Sequence, residues 1–182
     1  MSTIWKNRFN EVDNDATILG LRFVGSTGLE QDSDKPFHWR IYFVISPSKS
    51  SDSGAIMFDL TPGGDGSTGI LCIVSKTETN SSALDLESYY IEASGASITV
   101  KELINYAIAN KFDKYSYHSS GNGCRWWSII LGYHLEKVLR IIPQGSMAEF
   151  EAFLAQQSAL KPNKIPMPTI QGVFYDGTVT NL

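Results

Sequence analysis

The apolar residues of this chain change period part-way along it, and that change constrains the fold more than any single motif. Up to about residue 93 they come in short runs rich in β-branched and aromatic side chains, bounded by Gly, Pro, Ser or Asp. Such runs read as strands. Five are predicted: Thr17 to Val24, Phe37 to Ile45, Gly54 to Thr61, Ile70 to Lys76 and Ser88 to Ala93. The polar stretch Ser46 to Ser53 joins the second to the third as an exposed hairpin loop, and Pro62 to Ser67 marks the next turn. From Thr99 onward the spacing becomes helical. Thr99 and Glu102 form a capping-box pattern ahead of Val100, Leu103, Ile104 and Ala107, so a helix is expected as far as Lys111. A short strand, Tyr115 to His118, leads into a glycine turn. Further helices are expected from about Cys124 to Leu139 and from about Ser146 to Leu160. The pattern predicts an α+β fold, a mainly antiparallel sheet of about five or six strands packed against two or three helices.

At 182 residues and 42% hydrophobic composition, the chain can bury one sizeable core, so residues 1–182 read as a single domain. Residues 1–15 read as an N-terminal extension, and because Lys6, Asn7 and Arg8 interrupt the apolar residues of Met1 to Asn10 no signal peptide is expected there. Residues 161–182 read as an extended tail, because Pro162, Pro166 and Pro168 exclude regular structure. No apolar run is long enough to cross a bilayer. Two cysteines, Cys72 and Cys124, are too few for a disulfide scaffold and lack metal-ligand spacing. A net charge of −4 with scattered basic residues lacks the footprint that phosphate backbones attract. The expectation is a cytoplasmic protein with free thiols, no cofactor or metal, no nucleic-acid partner and a small-molecule or acyl substrate. Homo-oligomerisation through the tail is one arrangement this leaves open.

One cysteine stands where chemistry would use it. Cys124 follows Gly121-Asn122-Gly123 and precedes Arg125-Trp126-Trp127, at the predicted start of a helix. Unpaired N–H groups and the macrodipole there favour a thiolate and suit an oxyanion. The glycines leave a substrate carbonyl room to approach the sulfur. The plain alternative is a cysteine that fills core space, as Cys72 is expected to do between Leu71 and Ile73. His38 opens a predicted strand in which His38, Arg40 and Tyr42 share one face and Trp39, Ile41, Phe43 and Ile45 the other. A hairpin closing over the serine-rich loop pairs the surroundings of His38 with those of Thr61, and places Asp59 near His38 or Arg40. Asp59 then either orients the imidazole or pairs with Arg40. His118 is expected at a turn, and His134 some three helical turns from Cys124. Trp39, Arg40, Asn122, Gly123 and Trp127 are candidates for contact with substrate, although Trp126 and Trp127 also have the spacing of packing residues.

His38-Trp39-Arg40-Ile41-Tyr42 on a strand, followed much later by Asn122-Gly123-Cys124 opening a helix, resembles the circularly permuted papain-like thiol enzymes. These include the lecithin-retinol acyltransferase-like and permuted NlpC/P60-like families. The resemblance implies that Cys124, His38 and Asp59 act as nucleophile, base and orienting group, and that chemistry passes through an acyl-thioester. It covers roughly residues 16 to 140. The chain departs from the acyltransferase-like pattern in having Gly123-Cys124-Arg125-Trp126 where those families have Asn-Cys-Glu-His, and an aspartate where their third residue is often histidine. The segment Gly121 to Trp127 is also similar to one in a group of fungal proteins that carry a His-Trp strand. The function expected is cysteine-dependent acyl transfer, hydrolase or acyltransferase; the alternative is a non-catalytic module for binding a small molecule or protein.

Overall fold

A computed structural model of the chain describes residues 3–27, 35–83, 86–176 and 179. Eight strands and three helices follow in the order β1 (Ile4–Arg8), β2 (Ile18–Ser26), β3 (His38–Ile45), β4 (Ala55–Pro62), β5 (Gly69–Lys76), β6 (Leu86–Glu92), α1 (Val100–Ala109), β7 (Tyr115–Ser116), α2 (Cys124–Lys137), α3 (Ser146–Leu160) and β8 (Val173–Phe174). The fold is α+β. Six strands form one sheet in the order β1-β5-β4-β3-β2-β6, and β7 pairs with β8 separately.

Local signals in the sequence account for most of these elements. The capping box of α1 is present in full, with Thr99 Oγ1 accepting from the Glu102 amide and the Glu102 carboxylate accepting from the Thr99 amide. Alternation along β3 sends Trp39, Ile41, Phe43 and Ile45 to the helix side. There they join Phe23, Leu103, Trp127, Phe150 and others in the main core. Tyr42 joins Val24, Ala55, Met57 and Val74 in a smaller cluster on the opposite face. Phe150 of α3 stacks on Phe23 of β2 with ring centroids 4.1 Å apart, which ties that helix to the sheet.

The two ends of the chain are more closely integrated than the sequence suggests. Residues 4–8 are an edge strand rather than part of an extension. β1 pairs in parallel with β5, Ile4 opposite Leu71 and Trp5 opposite Cys72, with an irregularity before Arg8. An edge strand has one unpaired side and tolerates Lys6, Asn7 and Arg8, the residues that disguise it. The prolines likewise do not keep the tail free of strand, because β8 lies beyond them and pairs with β7. Ile165 of the tail is fully buried. No helix among the described residues is long and apolar enough to cross a membrane.

Candidate active site

The β3–β4 hairpin takes the register that closure over the serine-rich loop implies, with Ile41 opposite Phe58 and Val44 opposite Ala55. The ladder opens beyond Ile41 and Phe58. Continued, it would set Trp39 opposite Leu60. Instead the Trp39 N–H donates to Cys124 Sγ at 3.4 Å, and the Leu60 carbonyl accepts from the Tyr117 hydroxyl. The start of α2 therefore meets the sheet where β3 and β4 part. Cys124 arrives from the main core side, while His38 and Asp59 hang from the opposite face. They meet at the opening.

Asp59 takes both of the roles open to it. Its Oδ1 lies 2.5 Å from His38 Nε2, and its Oδ2 accepts from Arg40 Nε at 2.9 Å. Arg40 also donates to Ser26 Oγ at 3.1 Å. Asp59 engages Nε2, and the Cys124 sulfur lies close enough to the imidazole for the two groups to act on each other electrostatically.

The electrostatics of the three groups agree with one another. Burial alone would lower the pKa of His38, but the charge on the Cys124 sulfur and the hydrogen bond to Asp59 raise it to about 9. Burial would push the Cys124 thiol up; the neighbouring His38 imidazolium and the Trp39 N–H hold it below its ordinary value instead. Burial likewise works against Asp59, which His38 and Arg40 keep below the usual carboxylate range. The shifts of the thiol and the imidazole both run in the direction that favours a thiolate–imidazolium pair. Cys124 is 8% exposed. No side chain caps α2, so the first N–H groups of the helix remain available beside the sulfur.

The residues expected to touch substrate separate into two groups. Trp39, Asn122 and Gly123 line a small cleft together with Cys124, Phe37 and Arg125. Arg40 is turned toward Asp59 and Ser26 instead, and does not line that cleft. Trp127 is 1% exposed and donates its indole N–H to the Phe112 carbonyl, so it packs in the core. Gly123 has a different reason for being glycine from the one the sequence offers. Its φ is +147°, and a Cβ there would stand 2.7 Å from the Tyr115 hydroxyl, which donates to the Gly123 carbonyl. The glycine makes room for Tyr115.

His118 lies on the exposed turn, its Nδ1 2.9 Å from Ser120 Oγ, and His134 is buried on α2 with Nδ1 against the Tyr106 hydroxyl. Neither joins the site. Cys72 is half-buried on β5, opposite Asp59 in the ladder and 3.6 Å from Thr61 Oγ1, so it is not the core residue its apolar neighbours suggest. No group of His, Cys, Asp and Glu side chains among the described residues is arranged to hold a metal ion.

Three contributors escape a reading of the sequence alone. Tyr117 holds the open edge of β4, Tyr115 braces the turn before Cys124, and the tail crosses the cleft. The tail is fastened there by the Phe37 N–H to the Lys164 carbonyl at 2.9 Å and by the Arg125 guanidinium to the Pro166 carbonyl. No local pattern marks them, because Tyr117 and the tail act on residues far away in the chain and Tyr115 acts across a turn.

No curated protein and no solved structure matches this chain. A family model described as a domain of unknown function, DUF7770, matches residues 21–175, a span that takes in His38, Asp59, Cys124 and the tail segment over the cleft. That span is more than four fifths of the 182 residues, and the chain belongs to the DUF7770 family.

Proposed function

We propose that this chain is a cysteine-dependent acyl-transfer enzyme, hydrolase or acyltransferase, related to the circularly permuted papain-like thiol enzymes. The observation that carries the reading is the grouping around one imidazole, with Asp59 Oδ1 2.5 Å from Nε2 and the Cys124 sulfur close enough for its charge to raise the ring's pKa. A nucleophile, a base and a group that fixes the base are what covalent acyl transfer requires. The Cys124 thiolate attacks the carbonyl carbon and forms a C–S bond, while the helix N–H groups receive the oxyanion. The tetrahedral species collapses by expelling the leaving group, which takes the proton from His38. Water or an acceptor alcohol or amine then gives a proton to His38 and attacks the thioester, releasing the acyl product and restoring the thiolate. Asp59 keeps the ring in place and favours its charged form throughout.

The reading carries with it a reducing, cytoplasmic setting, which keeps the thiol free, and a small-molecule or acyl substrate rather than a nucleic acid. Burial of Cys124 under the tail favours the second reading, a binding module with a structural cysteine. The alkylation rate of Cys124 as a function of pH, in the wild type and in His38→Ala, separates the two. An enzyme gives an inflection well below the free-thiol value of about 8.5 that disappears with His38. A thiol that stays inert in the folded protein, or whose profile ignores His38, removes the basis for catalysis.

A further inference from the structure

Arg125, next to Cys124 in α2, is placed where a purely structural cation is hard to account for. It is 6% exposed. It occupies the first turn of a helix, the end at which the macrodipole repels a positive charge. No carboxylate among the described residues pairs with it. Its Nη2 donates to the Pro166 carbonyl, while Nη1 is screened from solvent and has no hydrogen-bond partner among the described residues. Burial draws its pKa down to about 10 against the opposing pull of the Cys124 sulfur, as a buried cation short of counter-charge should behave. Buried charges are normally paired.

The sulfur does not fill that vacancy, because the thiolate is already matched by the His38 imidazolium and the Trp39 N–H. Arg125 borders the cleft that holds Cys124. Lys164 adds a second basic residue to that lining, and none of the lining residues among those described is acidic. Asp59, the acid nearest the chemistry, is occupied by His38 and Arg40. A planar guanidinium edge in a narrow cleft matches a planar carboxylate better than it matches a neutral group.

We infer that Arg125 is a specificity-determining residue and that the acyl group passed through Cys124 carries a carboxylate close to its reacting carbonyl, received by Arg125 Nη1. The inference rests on the thiol acyl-transfer reading and narrows it to acids with a second, free carboxylate. Iodoacetate and iodoacetamide test it, since they alkylate the same sulfur with displacement of iodide and differ mainly in charge. With the full chain, and Cys124 identified by mass spectrometry, the rate ratio of iodoacetate to iodoacetamide should exceed that of free cysteine at the same pH by about tenfold or more, the effect of one charged hydrogen bond. That comparison needs no variant.

Arg125→Gln should lower the ratio by a similar factor with the iodoacetamide rate little changed, and Arg125→Lys should retain most of it. Because the His38 imidazolium is common to all three proteins, the difference isolates the guanidinium. A wild-type ratio no higher than that of free cysteine, or one that survives Arg125→Gln, overturns the inference and leaves the thiol reading standing. A Cys124 inert to both reagents overturns both.

Discussion

Asp59→Asn removes a charge from the centre of the site while leaving its shape in place. In the wild type His38 keeps its proton up to about pH 9 rather than 6.5. At about 1.4 kcal/mol per pH unit the difference amounts to roughly 3 kcal/mol in favour of the charged ring. Burial opposes that preference, the Cys124 charge is the largest influence in its favour, and the hydrogen bond that the ring donates to Asp59 follows. A hydrogen bond to a charged group contributes about 1.5–3 kcal/mol, so the substitution should bring the His38 titration down by about 1 to 2 pH units, to between about pH 7 and 8. Nitrogen-15 NMR of the imidazoles reads this directly. The chain has three histidines, so the His38 signals are assigned by their loss in His38→Ala. The ultraviolet absorbance of the thiolate near neutral pH should decline with the imidazolium. A His38 titration unchanged by Asp59→Asn would show that the carboxylate does not govern the ring, and the orienting role given to it would be wrong.

Three further outcomes are expected. His38 contributes stability that is complete below pH 6.5 and lost as the pH rises through about 9, whereas Cys124, with its lowered pKa, contributes stability that is complete above 9.0 and lost as the pH falls. The two slopes oppose one another between those values, so the wild type should lose less stability to urea from pH 6.5 to 9 than the roughly 3 kcal/mol that His38 alone would cost it; a loss of that full size inside the window would rule out the ion pair. Gly123→Ala, which forces a Cβ toward the Tyr115 hydroxyl at a φ of +147°, should cost about 1–3 kcal/mol in urea unfolding and slow alkylation of Cys124 by displacing the start of α2; wild-type stability would contradict the packing described. Ile165→Ala removes a fully buried anchor of the tail and should speed alkylation of Cys124 by about tenfold or more with the far-ultraviolet circular dichroism unchanged, whereas an unaltered rate would mean that the tail does not limit access.

The parts of this structure legible in the sequence are those set by neighbours in the chain. Alternation from His38 to Ile45 and the polar loop after it were enough to place Asp59 beside His38 and Arg40, because a hairpin leaves few registers that bury one face. Thr99 with Glu102, and Ser146 ahead of Phe150, marked helices that begin where expected. Cys124 stood out because a glycine turn must precede it. What stayed hidden depends on partners far away. Nothing in Ile4 to Arg8 announces a parallel partner in β5, and Arg125 looks like any surface arginine until Pro166 is found lying across it. Trp127 had two readings at the same spacing, and the choice fell to the Phe112 carbonyl, which only the folded chain presents to it.

The opening between β3 and β4 bears on the order in which the molecule is assembled. Trp39 and Cys124 are 85 residues apart, and Tyr117 stands 57 residues from the Leu60 carbonyl that accepts its proton. A chain growing from its N-terminus has made all of the hairpin before either partner exists, so that end of the ladder waits, unfinished, for the second half of the domain. Until α2 docks there is no imidazolium beside the sulfur, and Cys124 has the chemistry of a free thiol, with a pKa of about 8.5. Nascent and half-folded chains therefore carry an unactivated cysteine. On the acyl-transfer reading it is the ion pair, and not the cysteine by itself, that belongs to finished molecules alone.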